Sequence, residues 1–355
     1  MRIAQVAPLY ESVPPKLYGG TERIVSYLTE ELVKQGHEVT LFASGDSLTQ
    51  ARLVAICPRA LRLDDQCMDQ LAHHTLLLEA IVAMRNQFEV IHFHIDYLHF
   101  PLSRVMGWTT LSTLHGRLDI PDLVPLYQTF REMPVSSISD AQRKPLPWLN
   151  WQGTVHHGLP ESQYDFSPKS SGYLAFLGRT SPEKGLDQAI AIASQAGMPL
   201  RIAAKVDNVD VEYFENCLKP LMADGDIEFM GEVGFPEKNE LLRGAAALLF
   251  PIVWPEPFGI VMIEAMACGT PVIAYRQGSV PEVIEDGVTG FIVDDADAAV
   301  RALRNIESFD RAACRRRFEQ RFTAGRMSSQ YLRLYERLLS SQGEPIQTSS
   351  GVPIG

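Results

Sequence analysis

No run of about twenty consecutive apolar residues occurs in this 355-residue chain, so no helix is expected to span a membrane. Cysteine is sparse: Cys57, Cys67, Cys217, Cys268 and Cys314 stand at neither paired nor metal-type spacings. That excludes a disulfide framework and a zinc module, and fits a reducing compartment. Positive charge is short as well. Thirty-two Lys and Arg against forty-three Asp and Glu leave a net charge of −11, so electrostatics gives no support to a nucleic-acid partner. The pattern G-x-G-x-x-G is missing, which removes the nicotinamide dinucleotide fingerprint. The opening Met1–Pro8 carries one charge and no long apolar stretch behind it, so it reads as a strand entry and not as a secretory signal. A soluble, cytoplasmic protein is expected.

What is present is an alternation of short β-branched runs with helical patterns, the signature of parallel sheets built from βαβ units. Strands are expected at Ile3–Ala7, Glu38–Ala43, Val90–His94, Thr110–His115, Val135–Ser139 and Thr154–His156. A second series follows at Tyr173–Leu177, Leu200–Ala204, Ile227–Met230, Ala246–Phe250, Pro271–Ala274 and Phe291–Val293. Helices such as Glu22–Gln35, Leu71–Asn86 and Leu186–Ala196 fall between them. The pattern restarts once, after the polar, Pro- and Gly-marked stretch Gly158–Tyr164. The fold class is therefore α/β, with two doubly wound, Rossmann-like domains over residues 1–160 and 161–325. A last helix at about 326–341 can pack back on the first domain, and the Ser/Gly/Pro-rich residues 342–355 are expected to be a disordered tail. Two such domains facing each other bring the carboxyl ends of both sheets to one cleft, where ligands bind.

The most informative run is Trp254-Pro255-Glu256-Pro257-Phe258-Gly259-Ile260-Val261-Met262-Ile263-Glu264. Pro257 cannot lie deep in a helix, so a helix should open at about Phe258 or Gly259. Its free N–H groups and positive dipole end make an anion site. Glu256 then stands before the helix and Glu264 inside it, with carboxylates about 8–12 Å apart. That spacing suits a molecule with two hydroxylated ends and an anionic middle.

Other candidates stand at expected strand ends. Gly178–Gly185 places Arg179 and Lys184 around one turn, where both can point at one anion. Gly19-Gly20 precedes the first long helix and permits close approach to a phosphate, although a plain turn with a helix cap explains these residues equally well. His115 ends a strand. His92 and His94 share a strand face, as alternation requires, but no third ligand joins them, and a metal site is not expected there. Arg315-Arg316-Arg317 reads as a solvated helix face.

The ordered run from Glu256 through Glu264 to Pro271, Tyr275, Gly278–Ile284 and Asp286–Phe291 resembles the retaining glycosyltransferases of family 4. That resemblance implies the GT-B architecture and transfer of a sugar from a nucleotide-diphosphate sugar to a hydroxyl acceptor. It further implies that no metal ion or other cofactor is needed and that membrane contact is at most peripheral. By the same resemblance Gly19 and Gly20 reach the donor phosphates, and Arg179 and Lys184 hold the diphosphate as it leaves. His115 meets the transferred sugar near its reacting carbon. Glu256, with the Phe258, Gly259, Ile260 and Val261 backbone, takes the sugar hydroxyls, and Glu264 takes the ribose. Lys205, Glu232 and Val233 frame the base by topology, while His94, Asp96 and Ser139 fall on the acceptor side. One departure stands out: the family's asparagine before the linker glycine is His157 here. A GT-B epimerase, a phosphorylase and a non-catalytic nucleotide-sugar binder remain alternative readings.

Overall fold

The computed structural model describes residues 1–17, 19–223 and 225–341, so the tail expected to be disordered lies outside the described residues. Two all-parallel sheets form. The first has the order β3-β2-β1-β4-β5-β6-β7, built from β1 (Arg2–Val6), β2 (Glu38–Ala43), β3 (Arg52–Ala55), β4 (Val90–Phe93), β5 (Thr110–Thr113), β6 (Val135–Ser137) and β7 (Trp151–Thr154). The second has the order β10-β9-β8-β11-β12-β13, from β8 (Tyr173–Arg179), β9 (Leu200–Lys205), β10 (Ile227–Gly231), β11 (Ala245–Phe250), β12 (Val272–Tyr275) and β13 (Gly290–Val293). In each sheet the chain winds outward both ways from the first strand. The gaps between β1 and β4 and between β8 and β11 are thus the points where strand order reverses, and where the crevice at the strand ends opens.

Helices cover both faces of the sheets, so central strands are buried on both sides. β11, Ala-Ala-Ala-Leu-Leu-Phe, is buried at every position. Helix α1 (Gly20–Lys34) turns Ile24, Leu28 and Leu32 inward at helical spacing. Two strands differ from expectation. β3 is a short edge strand of half-exposed residues, whose weak apolar pattern leaves no mark in the sequence. The strand expected at Thr154–His156 lies earlier, at Trp151–Thr154, because pairing with β6 begins at Val135 and Trp151 and the chain then leaves the sheet to cross over.

That crossing is made twice, side by side. Leu159 N donates to Phe322 O at 2.9 Å, and Ala324 N donates to Leu159 O at 2.9 Å. The outgoing and returning strands touch at Gly158, where a Cβ would stand 2.2 Å from the Thr323 carbonyl oxygen, so only glycine fits. The returning chain becomes α2 (Ala324–Ser341), which lies on α1. There Gln35 Nε2 donates to Ser328 Oγ at 2.7 Å, and Tyr331 and Tyr335 are fully buried beneath it. No helix among the described residues is long and apolar enough to cross a membrane.

Candidate active site

A cavity of about 500 Å³ lies between the two sheets. Its walls are strand ends. Arg179 and Lys205 are the last residues of β8 and β9, Glu232 follows β10, His94 follows β4, and His115 stands two residues past β5. Of the residues singled out from the sequence, the cavity also takes Gly19, Gly20, Asp96, Lys184, Val233, Glu256, Phe258, Gly259, Ile260, Val261 and Glu264. Ser139 is the exception. It is fully buried and outside the lining, its hydroxyl accepting the Gln142 amide at 3.0 Å to close the turn after β6.

The loop that carries Glu256 is held from below. Glu256 N donates to Trp254 O at 2.8 Å, and Ser279 N donates to Glu256 O at 3.0 Å. Ser279 Oγ donates to Phe258 O at 2.7 Å. Gly278, at φ 50°, lies so close that a Cβ would meet the Glu256 carbonyl at 2.3 Å. Gly259, with φ 76°, then turns the chain into the helix Ile260–Ala267, one residue later than expected.

The second-sheet wall is a set of ion pairs. Lys184 Nζ donates to Glu256 Oε2 at 2.5 Å, both side chains about one-seventh exposed. Arg179 reaches Glu183 at 3.2 Å and Asp207 at 3.5 Å, and Lys205 reaches Asp207 at 3.1 Å. Deeper, Lys238 pairs with Glu264, which also accepts the Tyr164 hydroxyl at 2.9 Å. Burial pushes the Glu264 carboxyl up, but the Lys238 charge and hydrogen bond, with Arg23 and Tyr164, outweigh it and hold the group below its ordinary value. Glu264 is therefore a carboxylate. Lys238, Tyr164 and Arg23 had no assigned part in the sequence reading. Lys238 in Phe235–Gly244 looks like any surface lysine, and nothing in its neighbours announces a partner twenty-six residues on. Burial also raises the carboxyl of Glu22, which lines the cavity from the first turn of α1.

The first-sheet wall is built around histidines, with Glu22, Arg23, Arg62 and Asp96 beside them. Burial drives His92, His94 and His157 well below the ordinary histidine range, and His115 to about 3. All four are neutral imidazoles at physiological pH. His115 stacks on His157, with ring centroids 5.4 Å apart, and His157 meets Phe258 edge-on at 4.8 Å. Asp96 has a left-handed backbone, φ 51°. Burial raises its carboxyl to about 6, against the pull of the His115 amide. Arg315, expected on a solvated face, instead donates to the carbonyls of Tyr164 and Ala267 at 3.0 and 2.8 Å and ties the crossover to the end of the helix Ile260–Ala267. Arg316 and Arg317 pair with Asp310 and Glu285 at the surface. Among the described residues no group of three His, Cys, Asp or Glu is placed to hold a metal ion.

Two facing parallel sheets with such a cleft at their carboxyl edges define the GT-B class of glycosyltransferase. Residues 18–152 match Glycosyltransferase Family 4, and residues 162–321 match Glycosyl transferases group 1. The chain belongs to family 4 of the glycosyltransferases. Phosphatidyl-myo-inositol mannosyltransferase of Mycobacterium leprae is 25% identical over 99% of this chain and 100% of its own length. The enzyme of that name from Mycolicibacterium smegmatis is 27% identical over 98% and 97%. Among solved structures, AviGT4, a glycosyltransferase involved in avilamycin A biosynthesis, has a TM-score of 0.74 at 25% identity, covering 96% of this chain and 98% of its own. Anabaena HepE in complex with UDP and glucose shares the fold with a TM-score of 0.73 at 18% identity, over 95% and 100%.

Proposed function

We propose that this glycosyltransferase moves a hexose from a nucleoside diphosphate sugar to a hydroxyl acceptor, with retention at the anomeric carbon and without a divalent ion. The observation that carries the reading is the convergence of Arg179, Lys184 and the start of the helix Ile260–Ala267 on a cavity that also holds two carboxylates and a neutral histidine. The cations and backbone amides suit a diphosphate. Glu256 and Glu264 suit vicinal hydroxyls, since a carboxylate accepts two hydrogen bonds at once. HepE in complex with UDP-glucose and with UDP supports a nucleotide sugar as the ligand of this fold.

The chemistry then follows from charge. As the bond between the anomeric carbon and the diphosphate oxygen breaks, negative charge grows on that oxygen, where Arg179 and Lys184 stand. Their stabilisation of it is the main catalytic term. The acceptor hydroxyl attacks the same face, its oxygen forming the new glycosidic bond while its proton passes to the departing phosphate oxygen. The paired crossovers at Leu159 and Thr323 act as the hinge, and closure keeps water from the donor.

Thermal shift with UDP, GDP, ADP and dTDP, each alone and as hexose conjugates, with and without a chelator, tests the reading. One nucleotide should shift the midpoint, and its sugar should shift it further, chelator or not. Retention is then read from the anomeric configuration of the product by NMR. An inverted product, or a shift abolished by chelator, overturns the corresponding part.

A further inference from the structure

Behind His115 a continuous line of buried polar groups runs from the cavity to α2. His115 Nε2 lies 2.9 Å from His94 Nδ1, and His94 Nε2 lies 2.9 Å from Gln5 Oε1. Gln5 Nε2 donates to the Tyr335 hydroxyl at 3.2 Å. That hydroxyl lies 2.7 Å from His92 Nδ1, and His92 Nε2 lies 2.7 Å from Thr113 Oγ1. Thr113 donates to the Tyr331 hydroxyl at 3.0 Å. Gln5, His92, Thr113 and Tyr335 are wholly buried and His94 nearly so, so every proton in the line must have an acceptor.

With the Gln5 amide nitrogen toward Tyr335, those contacts run in one polarity. The Gln5 amide gives its N–H to Tyr335 and keeps its oxygen toward His94, so His94 carries its proton on Nε2 and its bare Nδ1 must accept. Among the described residues the group placed to donate to it is His115 Nε2–H. A neutral imidazole has one N–H, so His115 Nδ1 is then a lone pair. Tyr335, having accepted from Gln5, gives its own proton to His92 Nδ1, and His92 passes the same sense on to Thr113. Reversing the order would require the Gln5 amide to turn over and every member to follow.

We propose that Tyr335, acting through Gln5 and His94, is a positioning residue that fixes His115 as the Nε2–H tautomer and presents its Nδ1 lone pair to a hydroxyl of the donor sugar. The catalytic part of this assignment rests on the proposed transferase reading; the tautomer does not. His115 lines the cavity, and a bare nitrogen there accepts from a hydroxyl and takes no part in holding phosphate. Sugar hydroxyls would thus be read by acceptors on both walls, Glu256 on one and His115 on the other.

Ring-15N labelling of histidine in the full chain reads the tautomer directly, with the His115 signal identified by its loss in His115→Asn. The wild type should show a protonated Nε2 and a bare Nδ1. Tyr335→Phe should mix the two tautomers at His115 and lower kcat about tenfold, the worth of one hydrogen bond at the transition state. Tyr331→Phe deletes a comparably buried hydroxyl beyond His92, and should leave the His115 signal as in the wild type. If Tyr335→Phe does not fold, Gln5→Met breaks the same line and is read the same way. A wild-type His115 protonated on Nδ1, an unchanged signal in Tyr335→Phe, or an equal change in Tyr331→Phe overturns the assignment. An altered tautomer with unaltered kcat overturns the catalytic part. Absence of transfer from any donor, with the tautomer as stated, counts against the transferase reading and leaves the relay standing.

Discussion

The two walls of the cleft solve different electrostatic problems. The second-sheet wall keeps its charges, each cation already paired with a carboxylate: Lys184 with Glu256, Lys238 with Glu264, Lys205 with Asp207. The first-sheet wall presents histidines instead, held neutral by burial and tied to one another and to Gln5. A paired cation is preorganised for an anion without being left bare in the empty site, because the incoming phosphate replaces one anionic partner with another. A neutral imidazole loses less than a charge when water leaves, and offers directed hydrogen bonds to hydroxyls.

That contrast can be broken from either side. Lys184→Ala removes one of the two cations proposed to hold the leaving diphosphate, so kcat should fall by roughly a thousandfold while nucleotide binding weakens far less. A KM effect without a kcat effect would mean that Lys184 only holds the ground state. Next, Lys238→Met strands the buried Glu264 charge and should lower stability by about 3 kcal/mol in a denaturant titration. Adding Glu264→Gln should recover most of that stability without recovering nucleotide binding. If the double variant binds normally, the pair is structural and the ribose role falls.

The smallest effect is expected on the first-sheet wall. The folded pKa of Asp96, about 6, lies above its ordinary 3.8, so between those values the folded protein keeps a proton the unfolded chain has lost. The share of stability that Asp96 contributes should therefore be greatest below that window and decline as pH rises through it. Asp96→Asn, which also tolerates the left-handed backbone, should abolish that decline and raise the thermal midpoint by roughly 2–5 °C at neutral pH, with no gain at pH near 3.5. A midpoint difference that does not change with pH would show that the carboxyl is not buried in its neutral form.

What could be read from the sequence follows the same division. The strand-end residues of the second sheet sit in a contiguous run, and the position of Pro257 and Gly259 fixes where the helix behind Glu256 begins, so that wall was legible. Its deepest member was not. Lys238 acquires its meaning from Glu264, across a contact that only the packing of two helices makes. The first-sheet wall was legible only as faces. Alternation put His92 and His94 on one side of β4, as their ring centroids 4.1 Å apart confirm, but their partners could not be read: Gln5 lies on the neighbouring strand and Tyr335 some 330 residues from Gln5. Ser139 looked available because it ends a strand, but a turn hydrogen bond had already taken its hydroxyl. β3 escaped notice because an edge strand needs no apolar face.

The return of α2 to the first sheet also has a bearing on how the protein is made. Residues 1–160 leave the ribosome long before Tyr331 and Tyr335, yet those two rings fill the space over His92 and Thr113. The nascent first half must therefore wait with a polar seam exposed while the second half, whose strands and covering helices are contiguous in sequence, completes itself. Synthesis order and folding order run opposite to each other here, and the half translated first is the half finished last.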